Sequence, residues 1–141
     1  MTHTPQPAFD ASMKSIAAVK AKDKAAWLAL FAADACVQDP VGVSPLDPSG
    51  QGHHGHAGIS AFWDMVIAPG NLSFELRESH PCGLECANVA TITNRMPGGA
   101  DITTDLVICY RLNEAGKIVS LKAYWDFSKV EAQLRAGLAA G

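Results

Sequence analysis

The order of predicted elements places this chain of 141 residues in the α+β class. Apolar residues recur at helical spacing in the first half, whereas from residue 71 onward apolar and polar residues alternate as they do in strands. Apolar residues make up 48% of the chain, which is enough for one substantial core. We therefore predict a single domain over residues 1–141, in which a strongly curved mixed or antiparallel sheet wraps around N-terminal helices and leaves one pocket between them.

The first two helices are predicted from capping residues and apolar spacing. Residues 1–7 contain two prolines and are expected to be disordered. Asp10 is a suitable N-cap for a helix that runs to about residue 22, and Asp23 for a second helix over 24–34. Pro40 excludes any helical continuation, because the residue before a proline is restricted to extended geometry.

The remaining elements follow from turn residues and periodicity. Residues 43–55 are rich in Gly and Pro and predict a polar loop, and a third helix fits residues 56–67. A tight turn at NEAG, residues 113–116, joins the last two strands. A short final helix over 128–139 has Ser128 as its expected cap. The strands are expected at about 71–79, 86–95, 102–112 and 117–127.

Charge and hydropathy exclude several classes of partner. The net charge is only -3 and there is no basic run, so we expect no nucleic-acid binding. No stretch approaches 18 consecutive apolar residues, so we expect no membrane span. The N-terminal residues lack the apolar segment of a signal peptide, which predicts a cytoplasmic protein.

The stretch CVQDPVG, residues 36–42, contains the most informative acidic residue, Asp39. If residues 35–41 are extended, Ala35, Val37, Asp39 and Val41 share one face. Asp39 then points inward, and an acid in apolar surroundings has the raised pKa that a general base near neutral pH requires. The alternative is a turn, because Asp-Pro often begins one with the Asp side chain bound to its own backbone. Alternation alone leaves both interpretations open.

A wider pattern around this acid resembles a known family. The segment ALFAADACVQDPVG (29–42) resembles the FA-x-DA-x-V-x-DPVG pattern of bacterial steroid delta-isomerases in the ketosteroid isomerase-like, or SnoaL-like, superfamily. GHAGISAFWD (55–64) is similar to a helix of that family, and YRLNEAGKIVSLKAYWD (110–126) to its last hairpin. The resemblance covers nearly the whole chain, extends to small mycobacterial members, and implies a cone-shaped α+β barrel that often forms homodimers.

The resemblance also implies roles for individual residues. In the isomerases the Asp of DPVG removes a proton beside a ketone, so Asp39 would be the base. Their oxyanion hole uses a tyrosine at the position of Ser15 and a protonated aspartate at the position of Ile108, and both donors are absent here. Loss of one such donor reduces the rate by about a hundred- to a thousandfold.

Two neighbouring hydroxyls could replace these donors. Tyr110 shares a strand face with Ile108, and it is either a donor to the ligand or an aromatic of the barrel wall. Ser15 either donates through its hydroxyl or lies on the helix surface. Phe31, Trp63 and Trp125 match aromatic pocket positions of the family and would suit a flat apolar ligand, although aromatics at such spacing are also typical of an ordinary core.

Other chemistry is less well supported by the sequence. His53, His54 and His56 lie in a Gly-rich segment without patterned carboxylates, so we expect a loop at the pocket rim, with no metal and no cofactor. The acids that an epoxide hydrolase of this fold requires would fall at Ala123 and Pro97.

The sequence therefore predicts a ketosteroid isomerase-like enzyme that uses Asp39 for proton transfer next to a carbonyl of an apolar, steroid-like ligand. One alternative is a steroid or hydrophobic-ligand binding protein with little or no catalysis. Another is a SnoaL-like cyclase or dehydratase.

Overall fold

The computed structural model describes residues 5–98 and 100–140, which form an α+β arrangement as predicted. The helices in this part of the chain are α1 (Pro7–Ala21), α2 (Lys24–Leu28), α3 (Gly55–Phe62), which a π-helical turn (Trp63–Ile67) extends, and α4 (Phe127–Ala140). The strands are β1 (Phe31–Gln38), β2 (His53–His54), β3 (Leu72–Cys82), β4 (Glu85–Arg95), β5 (Asp101–Leu112) and β6 (Ile118–Tyr124).

The six strands form one mixed sheet in the order β2-β1-β6-β5-β4-β3. Every neighbouring pair is antiparallel except β1 and β6, which are parallel. The sheet is curved and open at both edges, and its concave face packs on the helices. This architecture confirms the predicted fold class.

The first two helices differ from the prediction at their ends. Helix α1 begins at Pro7, where proline is favoured because the first helical N–H has no intrahelical partner, so Asp10 lies in the first turn and is not the cap. Disorder was expected over residues 1–7, but the last of these, Pro7, already belongs to α1. Residues 1–4 lie outside the described residues. Helix α2 ends at Leu28, six residues early, because Phe31 already pairs with Ile118 of β6.

The predicted loop over 43–55 contains a short strand that the sequence did not indicate. His53 and His54 pair with Val37 and Cys36 of β1. The preceding loop is organised by Asp47, whose carboxylate accepts hydrogen bonds from the backbone N–H groups of Gly50 and Gly52 and from the Ser49 hydroxyl. Although burial acts to raise it, these hydrogen bonds hold the pKa of Asp47 below its usual value.

The turns at the end of the chain follow the sequence closely. The NEAG turn joins β5 to β6, and Gly116 supplies the positive φ of 83° that it requires. Strand β6 ends at Tyr124, and α4 begins at Phe127. The carboxylate of Asp126 accepts from both the backbone N–H and the hydroxyl of Ser128, so Asp126 caps α4 and Ser128 does not.

A buried polar network attaches α1 to the sheet. The Asn88 amide on β4 donates to the Ser12 hydroxyl (3.0 Å) and accepts from the Ser79 hydroxyl (2.6 Å). Ser12 in turn donates to the carbonyl oxygen of Phe9. Because these groups are removed from water and satisfied by one another, they fix the position of α1 over the concave face. Among the described residues, no helix combines the length and the apolar character needed to cross a bilayer.

Candidate active site

A cavity of about 350 Å³ lies between the concave face of the sheet, α1 and α4. Its walls are mainly aliphatic and aromatic side chains from α1, α3 and its π-helical extension, strands β3 to β6, and α4. Five polar residues also reach the cavity, and they are Ser15, Asp39, Asn94, Thr104 and Tyr110. A concave apolar space with a few polar groups is the usual form of a small-molecule site.

Asp39 lies at this cavity immediately after the end of β1, so the inward orientation is the one observed. Its Oδ1 accepts a hydrogen bond of 2.6 Å from the indole Nε1 of Trp125. Burial raises the pKa of the Asp39 carboxyl, and the hydrogen bond from Trp125 offsets only part of that rise. Oδ2 has no hydrogen-bond partner among the described residues, which leaves it available to a ligand.

The alternation that predicted this orientation does not continue through the DPVG segment. Ala35 and Val37 are fully buried as expected, but β1 ends at Gln38. Beyond it Pro40 is buried and Val41 is 38% exposed, the reverse of the expected pattern. The backbone N–H of Val41 instead donates to the carbonyl oxygen of Ala123, which attaches the segment to β6. The alternation therefore extends through Asp39, which lines the cavity together with Val37, and it ends at Pro40.

Ser15 of α1 and Tyr110 of β5 also line the cavity and lie close to each other. Ser15 is buried, which excludes the surface position, and its Oγ accepts a hydrogen bond of 3.0 Å from Nε1 of Trp27. Burial strongly raises the pKa of Tyr110; hydrogen bonding to Ser15 acts against the rise, while the charge of Asp39 adds to it. Tyr110 is therefore a neutral phenol at neutral pH, able to donate a hydrogen bond.

The predicted aromatic residues divide into two groups. Trp125 and Ile108 line the cavity as expected. Phe31 and Trp63 are absent from its walls and pack against Trp27, with ring centroids 4.7 and 5.2 Å apart. Contrary to the prediction, Phe31 and Trp63 therefore belong to the buried core beside Trp27 and do not line this cavity. Trp27, which the sequence analysis did not single out, is the aromatic that reaches the cavity from α2.

Other cavity residues were missed by the sequence reasoning. Phe127, Val130 and Leu134 of α4 line the cavity, and their spacing of three and four residues is a helical stripe that the sequence displays. Asn94 and Thr104 were also missed, since single polar residues within strands carry no distinctive signal.

The three histidines of GHHGH do not form a cluster. His54 Nε2 lies 2.7 Å from the carbonyl oxygen of Gln51, and His56 Nε2 lies 2.9 Å from that of Phe31. The ring of His53 packs on Phe62, and its Nε2 is buried without a partner among the described residues. Across residues 5–98 and 100–140, no group of three or more His, Cys, Asp or Glu side chains is arranged to hold a metal ion.

Comparison with known proteins agrees with this geometry. A family model described as a SnoaL-like domain matches residues 14–121. The chain belongs to the SnoaL-like domain family. The crystal structure of RV0760c from Mycobacterium tuberculosis is similar to this SnoaL-like protein at 34% identity, over 91% of this chain and 97% of that one, with a TM-score of 0.84.

Further solved structures extend the comparison to steroids. RV0760c has also been crystallised in complex with estradiol-17beta-hemisuccinate (34% identity, 89% and 98% of the two chains, TM-score 0.83). A Delta 5-3-ketosteroid isomerase from Mycobacterium sp. is 33% identical to this SnoaL-like protein over 89% of this chain and 97% of that one, with a TM-score of 0.83. These neighbours confirm the predicted superfamily and its cone-shaped fold.

Proposed function

We propose that this SnoaL-like protein is a ketosteroid isomerase-like enzyme that transfers a proton next to a carbonyl group of an apolar, steroid-like substrate. The observation that carries the proposal is the state of Asp39. Its carboxyl group lies in an apolar cavity with a raised pKa, one oxygen bound to Trp125 and the other free. The similarity to a ketosteroid isomerase, at 33% identity, supports the same assignment.

The proposed reaction uses Asp39 twice. Ionised Asp39 removes a proton from the carbon next to the ketone, which leaves a dienolate, and protonated Asp39 then returns the proton to the far end of the conjugated system. The double bond moves and no proton is gained or lost overall. A carboxylate whose pKa is raised by burial is suited to both steps, because the proton transfer is then closer to balanced in free energy.

The donor to the dienolate oxygen is proposed to be Tyr110. Trp27 donates to Ser15 Oγ, so the Ser15 hydroxyl hydrogen is free to be donated to the neighbouring phenol oxygen of Tyr110. Tyr110 would then direct its own hydrogen into the cavity, towards the ligand. This chain of donors supports a working oxyanion site although Ser15 and Ile108 replace the donors of the isomerases.

A second candidate function is binding without turnover. The two substituted donor positions, Ser15 and Ile108, favour it, because the cavity could accept a steroid while the dienolate receives weak stabilisation. A computationally designed 17-OHP binder with 32% identity and a TM-score of 0.83 shares this architecture. A cyclase or dehydratase with Asp39 acting on another carbonyl compound is the remaining possibility from the family pattern.

The test is turnover of a Δ5-3-ketosteroid, followed by the absorbance of the conjugated product. Asp39→Asn should reduce kcat at least tenfold, since general bases contribute about a hundredfold or more. Asp34→Asn is the matched control, because Asp34 is an exposed acid on the same strand, and it should retain wild-type turnover. Steroid binding by the wild type without turnover would favour the second candidate. Full activity of Asp39→Asn would refute the assignment of the base.

We also propose that the protein is a cytoplasmic homodimer that associates through the outer face of the sheet. Val107 of β5 and Tyr124 of β6 are directly paired on that face and are 37% and 46% exposed. Analytical ultracentrifugation of the wild type and of Tyr124→Lys tests this, with dissociation expected for the variant. A monomeric wild type would contradict it.

A further inference from the structure

The cavity has a second polar region that the proposed chemistry does not use. Asn94 on β4 and Thr104 on β5 both line it, and both lie on the concave face. Asn94 pairs with Ile102 and Thr104 with Ile92, so the two polar residues are diagonal neighbours across the two strands. Diagonal neighbours on one face are roughly 7–8 Å apart at the backbone, close enough for both side chains to contact one ligand atom.

The orientation of the Asn94 amide follows from its hydrogen bond to the backbone. Its Oδ1 accepts from the N–H of Asn71 at 2.9 Å, which identifies the other amide atom as the donor Nδ2. Within the described residues, neither Nδ2 of Asn94 nor the hydroxyl of Thr104 has a hydrogen-bond partner, and neither is sealed from the cavity. Ile102 and Leu106 flank Thr104 along the same wall, so a hydrogen bond formed here would be made in apolar surroundings.

The separation of this region from Asp39 is set by strand pairing. The segment after β1 is bonded to Ala123 of β6, and Ala123 pairs with Ile108 of β5, so Asp39 is nearly level with Ile108. Thr104 lies four residues further along β5, about 13 Å at roughly 3.3 Å per residue. That separation is comparable with the long axis of a four-ring steroid nucleus.

We infer that Asn94 and Thr104 form a recognition subsite for an oxygen atom at the end of the ligand remote from the reacting ketone. This inference rests on the proposed function, because it places the reacting ring beside Asp39 and Tyr110. The preferred ligands are then steroids with a ketone or hydroxyl at the terminal five-membered ring. A hydrocarbon chain at that end would leave both polar groups without partners, which is costly in an apolar site.

The test compares two phenolic steroids that differ only at the remote end. Estrone carries a ketone there, and 17-deoxyestrone carries a methylene group. Isothermal titration calorimetry on the wild type should show tighter binding of estrone by about two- to tenfold for each hydrogen bond made. Thr104→Val, which keeps the shape of the side chain, should reduce this preference and leave the affinity for 17-deoxyestrone nearly unchanged.

Two further variants make the test specific. Thr103→Val is the matched control, because Thr103 is an exposed residue on the convex face, and it should keep the wild-type preference. Asn94→Asp retains the acceptor for Asn71 but replaces the free donor by a carboxylate oxygen. It should therefore weaken the binding of estrone more than the binding of estradiol, because the estradiol hydroxyl can donate to the new carboxylate.

The outcomes separate the two proposals. Equal affinities of the wild type for estrone and 17-deoxyestrone, or an unchanged preference in both Thr104→Val and Asn94→Asp, would overturn the subsite while leaving the role of Asp39 intact. Loss of turnover in Asp39→Asn supports that role independently of the remote end. Failure of the wild type to bind any of the three steroids would overturn the subsite together with the proposed function.

Discussion

The hydrogen bond from Trp125 to Asp39 offers the most direct test of how the cavity controls its base. Trp125→Phe keeps an aromatic ring against the cavity and removes only the indole N–H, which lies 2.6 Å from Oδ1 of the carboxylate. In the wild type this bond acts against the effect of burial on the pKa of Asp39. Without it, the pKa of Asp39 should rise further, because nothing else described in the structure stabilises the charged form by a hydrogen bond.

The size of the effect follows from the kind of bond. A hydrogen bond to a charged acceptor contributes about 1.5–3 kcal/mol, and the lower end applies here because the cavity is large enough for water to replace part of the interaction. At a pH below the pKa, about 1.5 kcal/mol reduces the ionised fraction of the base roughly tenfold.

The assay is the pH dependence of kcat/KM for isomerisation of a Δ5-3-ketosteroid. The acid limb, which reports ionisation of Asp39 in the free enzyme, should move to higher pH in Trp125→Phe, while the rate on the alkaline plateau changes less. Trp63→Phe is the control, since Trp63 packs on Trp27 away from Asp39, and its acid limb should not move. An acid limb that stays in place, or moves to lower pH, in Trp125→Phe would refute the reasoning.

Two further predictions concern the free energy of unfolding, and a third concerns the loop held by Asp47. Asp39→Asn should increase the free energy of unfolding at pH 7 by about 1–3 kcal/mol. Because the pKa of Asp39 is raised in the folded state, the contribution of this group to stability is present at low pH and lost as the pH rises through its folded-state pKa. Denaturant titrations should show the gain shrinking towards pH 4, and a loss of stability at pH 7 would contradict the prediction. Asn88→Ala should lower the free energy of unfolding by about 2–4 kcal/mol, since it leaves the Ser12 and Ser79 hydroxyls buried without their partner. A change below 0.5 kcal/mol, roughly the limit for surface substitutions, would show that the network is not stabilising. Asp47→Ala should shift the amide NMR signals of Gly50 and Gly52, whose N–H groups donate to the Asp47 carboxylate. In the wild type these hydrogen bonds should be lost only as the pH falls through the lowered pKa of Asp47. Unchanged signals in the variant would refute the role of Asp47 in the loop.

The extent to which the sequence predicted the site can be judged from particular residues. The DPVG pattern suggested that Asp39 points inward, and Asp39, Ile108 and Tyr110 all line the cavity, while their roles there stay predictions. Phe31 and Trp63 were expected beside the ligand and lie in the core. Aromatic spacing indicates which side of an element is buried, but it does not distinguish a cavity wall from the layer behind it.

Local patterns in the chain determined the fold class, the last four strands and the NEAG turn, because alternation, helical spacing and glycine geometry act over a few residues. The length of α2, the short strand at His53 and His54, and the Asn88 network were decided only by tertiary structure, since each depends on a partner far away in the chain. The same holds for the chemistry of the cavity. The raised pKa of Asp39 and the contact between Ser15 and Tyr110 arise from burial and from strands and helices that meet only in the folded protein.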